Sequence, residues 1–558
     1  MNNATMSHRQ VLEALSGLLL GMFVSMLSGT VVSTSLPVIV HDLGGDQAAF
    51  TWVVTSTLLT TAIATPIWGK LSDLFNRKVL IQLALVIFVG ATAAAGFSQD
   101  AGMLIAFRAV QGIGAGGLAA LSQVIMADII SPRERGRYMG LFGAVMALAT
   151  VGGPLLGGFL TDVANWRWNF YVAIPFAIAA LIILQITLKP APPTRDRVRI
   201  DYFGIVLLAT SVSLLLIWVT SAGDSASSWF GWWSWQTAVM LGGAVLAGIL
   251  FVVVELRSAE PLVPLTMFRN RTFTLSVLAS IAIGIAMFGT SVFLSQYMQM
   301  ARGATPTQAG LMTLPMIGGL LIASVVVGNL ISRYGRWKGF VVTGTVLTGV
   351  GAALLSTLHY DTNFFLVSVY MLLMGAGVGM TMQNLVLIVQ NTARPEDLGA
   401  ASSGVTFFRS LGGTIGVSVM GAALASQVST LFVDRQADIG KALASLGKKG
   451  AEIGAQFQTG TLPEVSKLPD VVRVIVEDIY AQGIAASFLI AVPFAVLSFI
   501  AVLFLPNVSL TRMTTRERLQ ASEADLATYS AEGGMEAVPA TGPVPTQAPQ
   551  SRRSRRDG

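Results

Sequence analysis

The sequence predicts an all-α integral membrane protein of about fourteen transmembrane helices. Three observations carry that expectation: a composition too apolar for a water-facing surface, apolar runs of about 20 residues, and basic residues gathered on one side of those runs. Of 558 residues, 53% are hydrophobic and only 11% charged, with a mean hydropathy of +0.68. Soluble domains of ordinary composition carry about 25% charged residues. A helix rising 1.5 Å per residue needs about 20 apolar residues to cross a hydrocarbon core about 30 Å thick.

The first run, 11–40, is too long for a cleavable signal and reads as a retained first span. Runs at 50–70, 79–97, 102–127, 138–161 and 169–188 complete a first group of six. Two more, 202–220 and 235–255, precede a second group at 273–299, 308–331, 339–358, 363–391, 401–425 and 481–505. The expected organisation is a six-helix bundle over 1–190, two inserted helices over 191–257, a second six-helix bundle over 258–506, and a disordered cytoplasmic tail over 507–558. That tail is rich in Ala, Pro, Ser and Gln and ends in SRRSRRDG.

Loops on one side (KLSDLFNRK, SPRERGR, KPAPPTRDRVR, ELRSAEPLVPLTMFRNR, SRYGRWK and NTARPEDLGA) carry 17 Lys or Arg. The short loops opposite carry two, Arg167 and Arg302. The positive-inside rule puts the basic loops and both termini in the cytoplasm, and a multi-pass plasma (inner) membrane location follows. Trp166, Trp168, Trp229, Trp232, Trp233 and Trp235 cluster on the outer side, where interfacial aromatics belong. One outer connection, 426–480, is long and polar. Its VVRVIVEDIYAQ suits an amphipathic helix on the outer face or a cover for the outer mouth.

Several function classes drop out. The net charge of +6 and the pI near 9.6 are spread over short loops rather than one face, so nucleic acid is not an expected partner. There is no cysteine, His8 lies in the amino-terminal tail, and His41 and His359 sit at helix ends; neither metal nor cofactor is expected. No G-x-x-x-x-G-K-[ST] occurs, since Gly440 to Lys448 has the wrong spacing and no hydroxyl, which disfavours direct ATP drive. Paired carboxylates are missing from the spans, so a membrane enzyme has little support.

The two groups of six repeat one another. GKLSDLFNRK at 69–78 matches GNLISRYGRW at 328–337, with Gly69/Gly328, Leu71/Leu330, Phe75/Tyr334 and Arg77/Arg336 in register. Gly152-Gly153 recurs as Gly412-Gly413, FYVAIPFAI at 170–178 as FLIAVPFAV at 488–496, and Pro132 and Gly136 as Pro395 and Gly399. Parallel halves that rock about a midplane site are the physical basis of alternating access.

Gly69-Lys-Leu-Ser-Asp73-Leu-Phe-Asn76-Arg77-Lys78 resembles the signature between the second and third helices of the major facilitator superfamily. That resemblance implies a conformational gate of Gly69, Asp73, Arg77 and Lys78, with Arg336 in the second copy. Asn76 stands where the family usually has Gly, and Ser332 replaces the second Asp. The GGPLLGG run with Gly153, Pro154, Gly157 and Gly158 is similar to the motif of the drug-antiporter branch, in which glycines let backbones touch and proline removes a donor. LIAFRAVQGIGAGG resembles that branch's buried-arginine motif; Arg108 there needs a partner or must snorkel outward.

WRWNFYVAIP and MGAGVGMTMQN extend the likeness to the fourteen-span drug:proton antiporter branch over nearly the whole chain. The resemblance implies the major facilitator fold, two six-helix bundles plus two linker helices. It further implies a monomeric secondary exporter of amphipathic drugs or lipophilic compounds, a proton gradient as the drive, and membrane lipid as surroundings. The alternative is a dedicated exporter of one lipid or metabolite. In the branch's acid-bearing phrase the sequence reads LSGTVVSTSLP, so Ser28 occupies the acid's place.

No predicted span carries Asp or Glu near its middle. Proton coupling would then run through Arg108 and peripheral acids such as Asp128 or Asp73. Phe23, Ser28, Gln111, Gln296, Gln299, Gln383, Asn384 and Phe407 are the candidate substrate-cavity residues, an amide-and-aromatic lining that suits amphipathic ligands. A cation in a low-dielectric site needs a countercharge. The expected preference is therefore for neutral, zwitterionic or anionic amphiphiles.

Overall fold

The computed structural model describes residues 8–44, 47–130, 132–188, 201–221, 230–258, 265–304, 306–394, 397–447, 450, 453, 465 and 468–511. The tail from 512, the basic loop 189–200, Trp229 and Pro395 lie outside the described residues. Among the described residues the long regular elements are fourteen helices: α1 (His8–Asp42), α2 (Gln47–Leu74), α3 (Arg77–Ala95), α4 (Ala101–Ile129), α5 (Pro132–Val163), α6 (Ala173–Thr187), α7 (Tyr202–Ser221), α8 (Trp235–Arg257), α9 (Arg271–Met300), α10 (Leu314–Tyr334), α11 (Lys338–Leu355), α12 (Phe364–Thr392), α13 (Leu398–Asp434) and α14 (Asp470–Leu503). Eleven helices are long and apolar enough to cross a membrane. The other three, α2, α5 and α7, bring the long helices to the number that run length predicts.

Several apolar runs start where a short polar side chain satisfies the free amides of a first turn. Asp100 caps α4 by accepting from Met103 N, and Ser234 caps α8 by accepting from Thr237 N. Asn270 and Asn363 do the same for α9 and α12. Leucines, isoleucines and phenylalanines stand on the outer flanks, Phe159 61%, Ile186 76%, Phe203 78% and Phe365 73% exposed, a distribution that only a lipid solvent makes favourable.

The halves are built alike. In α4, Gly112 and Gly116 lie against α2 and Gly114 against α3; in α12, Gly375 and Gly379 lie against α10 and Gly377 against α11. A Cβ at Gly112 would come within 2.4 Å of Thr57 O, and one at Gly375 within 1.9 Å of Met316 O. These glycines are therefore what lets each central helix touch both neighbours. Lys78 Nζ donates to Gln185 O near the end of α6, and Lys338 Nζ donates to Leu505 O just after α14, so each half also ties its third helix to its last.

Helices α7 and α8 pair through Ser211 Oγ donating to Ala244 O at 2.8 Å. Leu208, Val212 and Leu216 of α7 form one apolar cluster with Leu59 and Ala62 of α2 and Phe407 of α13. Most of α8 faces outward, with Val239, Val245, Leu246 and Ile249 more than half exposed.

The outer segment differs from expectation. VVRVIVEDIYAQ is no separate helix on the outer face: it forms the first turns of α14, whose 34 residues reach about 51 Å. Val472, Val476, Ile479 and Tyr480 are buried there. The apolar spacing is right, but periodicity does not say which neighbour covers the stripe; here the outer end of α13 and the short helix Gln436–Ser445 help do so. Phe432 meets Tyr480 edge to face at 6.3 Å, and Arg435 pairs with Asp478 at 2.5 Å. That ion pair is partly exposed and is worth about 1 kcal/mol at most. Asp478→Asn is expected to lower the thermal midpoint of the detergent-solubilised protein by no more than a few degrees and to leave transport unchanged; a large loss in either would mean that the outer hairpin hangs on this one contact.

Candidate functional site

The C-terminal end of α2 and the N-terminal end of α13 meet at Asp73. Its carboxylate accepts from Gly399 N at 3.0 Å and Ala400 N at 3.1 Å, the free amides of the first turn of α13. This is a charge-assisted cap supplied by the other half of the chain, aided by the helix dipole. The approach needs two glycines. A Cβ at Gly69 would lie 2.0 Å from Ser403 Oγ, and one at Gly399 2.5 Å from Gly69 O.

Arg77 braces the acid. Its guanidinium is 3.8 Å from Asp73, is ion-paired with Asp128 of α4, and donates from Nε to Ser72 O. Asn76 is extended (φ −63°) and caps α3 by accepting from Lys78 N, so it has no need of the left-handed conformation usual for glycine. The left-handed residue belongs to the second copy, where Gly335 (φ +69°) ends α10.

The second copy does not make a contact of the same kind. Arg336 is exposed, and Ser332 stands in place of the acid. Asn391, at the position matching Asp128 by the offset that relates Pro132 to Pro395, holds Ser509 O and Thr511 N instead.

A second cross-half contact lies nearby. Gln123 of α4 donates to Gln383 of α12 at 3.2 Å, and Gln390 donates to Gln123 O at 3.4 Å and to Ser402 Oγ of α13 at 2.8 Å. These amides join the halves on the same side of the helices as the Asp73 contact.

The motifs of α1 and α5 pack against each other. Thr30 Oγ1 donates to Ala149 O, and Ser35 Oγ donates to Gly157 O. A Cβ at Gly153 would meet Thr30 Oγ1 at 2.0 Å, and one at Gly157 would meet Val31 O at 2.6 Å. Pro154 lies within helical α5, and Gly158 is half-buried.

Arg108 is buried, not snorkelling, and its partner is an amide. It donates from Nη1 to Gln111 Oε1 at 2.8 Å and from Nε to Val53 O at 3.3 Å. Gln111 Nε2 reaches Ser28 Oγ and Thr92 Oγ1. Ser28 thus ends a polar chain that starts at the arginine.

The remaining cavity candidates scatter. Phe23 is half-buried and meets Phe176 edge to face at 5.9 Å. Gln296 and Gln299 are half-buried in the C-terminal end of α9. Asn384 spends its amide on Met380 O of its own helix, and Phe407 is buried between α2 and α7. Sequence reasoning passed over Arg409, 6% exposed in α13, because the midplane was searched for carboxylates. Its signal was a lone cation in the apolar run TFFRSLGG.

Residues 18–417 match the family described as Major Facilitator Superfamily. An uncharacterized MFS-type transporter of Mycobacterium tuberculosis is 38% identical over 502 residues, covering 89% of this chain and 69% of the relative. Multidrug resistance protein 3 of Bacillus subtilis is 30% identical over 512 residues, covering 90% and 97%, and the multidrug transporter protein MdtP of Bacillus subtilis is 34% identical over 444 residues, covering 80% of each. Among solved structures, the human organic anion transporter MFSD10 superposes with a TM-score of 0.56 at 14% identity, covering 87% of this chain and 99% of that one. The proton:xylose symporter XylE gives 0.55 at 13% identity, covering 93% and 100%. At those identities the likeness speaks for the fold.

Proposed function

The chain belongs to the major facilitator superfamily and is a membrane transporter, and from that premise we propose that it exports amphipathic drugs or related lipophilic compounds by alternating access in proton-driven antiport. The observation that carries the mechanism is Asp73 of one half capping a helix of the other. Such a contact exists in one arrangement of the halves and is lost in the other, so it weights two discrete states rather than shaping a pocket. With the Gln123–Gln383 link it defines a state closed toward the cytoplasm.

The bacterial relatives named multidrug proteins support the substrate class. The loop charges support an inner-membrane location with both termini cytoplasmic, and the repeat supports two six-helix halves, α1–α6 and α9–α14, in a chain that works as a monomer. Proton coupling at the Asp73–Arg77–Asp128 group fits its place at the closure. The direct test is transport of a fluorescent amphiphile in proteoliposomes under imposed pH and voltage gradients. Uptake driven by the pH gradient supports antiport; movement that ignores both gradients refutes it.

A narrower test addresses Ser28. Gln111 stands between Ser28 and Arg108, so an acid installed at 28 would lie within one amide of a cation. Ser28→Asp is expected to raise efflux of a quaternary cation several-fold relative to a neutral analogue. A wild-type protein that already prefers the quaternary cation would contradict the charge argument.

A further inference from the structure

Arg409 is 94% buried, and among the described residues its only hydrogen bond is from Nη1 to Met382 O at 3.3 Å. A guanidinium has five donors and no way to shed its charge in a protein. No Asp or Glu pairs with it among the described residues, and none lies near the middle of any predicted span. An intramembrane cation left this unsatisfied marks a functional site by default.

Its position is informative. Arg409 is eleven residues beyond Leu398, the first residue of α13, about 16 Å from the cytoplasmic end and so near the midplane. It lies seven residues beyond Ser402, on the same helix face. That face packs beside the amides of α12 that reach the other half: Ser402 accepts from Gln390, which also donates to Gln123 O, and Met382, whose carbonyl accepts from Arg409, precedes Gln383, which accepts from Gln123. Arg409 therefore stands just outward of the amide closure, the first fixed positive charge behind it.

Resting on the exporter reading, we propose that Arg409 anchors the single acidic group, carboxylate or sulfonate, of an anionic amphiphile. The apolar body of the ligand lies along the neighbouring helices. Parting of Gln123 from Gln383 admits the ligand from the cytoplasm, and its acid supplies the countercharge that the chain lacks. Arg108 is not equivalent, since it already spends two donors on Gln111 and Val53.

The test uses the full chain in phosphatidylcholine liposomes, with pyrenebutyrate and its methyl ester as probes followed by fluorescence. Wild type is expected to bind the carboxylate at least tenfold more tightly than the ester. Arg409→Gln is expected to erase that advantage while ester affinity stays within about twofold, and Arg409→Lys to restore part of it. A wild-type ratio near one overturns the proposal however the variants fold, as does equal loss of both probes in Arg409→Gln. Wild type that binds neither probe refutes the exporter reading itself, and the site with it. A repeat with one-fifth phosphatidylglycerol separates sources of the same chemistry: if that lipid alone removes the carboxylate's advantage, the occupant is an anionic lipid headgroup and the Arg409 site stands.

Discussion

Asp73→Ala is expected to lower transport at least tenfold while leaving the affinity for a fluorescent amphiphile within about threefold. The acid accepts two backbone amides across the halves, and hydrogen bonds to a charged group contribute about 1.5–3 kcal/mol each. Even with part of that loss recovered by water, some 2–4 kcal/mol shifts a two-state equilibrium by roughly 30- to 1,000-fold. The cycle then stalls because one of its states is scarcely visited. Asp73→Asn keeps an acceptor oxygen but loses the charge, so it separates the hydrogen bond from the interaction with Arg77 and the helix dipole; its defect is expected to be smaller. Arg77→Ala frees both Asp73 and Asp128 and is expected to resemble Asp73→Ala. Equal losses of affinity and transport would place Asp73 in the binding site rather than the gate.

Gly157→Leu is expected to abolish transport in protein that still inserts and can be purified. Even the first added carbon lies 2.6 Å from Val31 O, a backbone atom that cannot rotate aside. The α1–α5 crossing must open, and with it the bonds from Thr30 to Ala149 and from Ser35 to Gly157. Overpacking of this kind costs about 1–3 kcal/mol or more. Combining it with Pro154→Ala is expected to leave the defect in place, since the collision does not depend on the proline. Wild-type efflux from the correctly inserted single or double variant would show that the close approach has no part in transport.

The helices were legible because a lipid solvent makes run length decisive, and the repeat was legible because the same glycines recur wherever backbones touch. The contact between the halves at Asp73 was half legible. Asp73 and Arg77 carry their chemistry in side chains, but the groups Asp73 binds are the amides of Gly399 and Ala400, and backbone donors have no signature in sequence. Ser28 read as a missing acid; the structure shows instead what the serine does, which is accept from Gln111. Asn384 and Phe407 looked like lining because polarity and aromaticity are visible while direction is not. Arg409 lay in plain view, but a search for carboxylates does not register a cation that has none.

The linker helix α7 has a consequence for traffic from the bilayer. Its apolar flank is shared with α2 and α13, the pair joined at Asp73, so on that flank the seam between the halves is covered from the acyl chains. On the opposite flank α5 and α10 pack directly against each other, and among the described residues neither α7 nor α8 joins them there. A compound dissolved in the lipid leaflets therefore faces a seam backed by a third helix on one flank and a seam of two helices alone on the other. That asymmetry matters for an amphiphile, which concentrates in the membrane before it reaches any aqueous mouth.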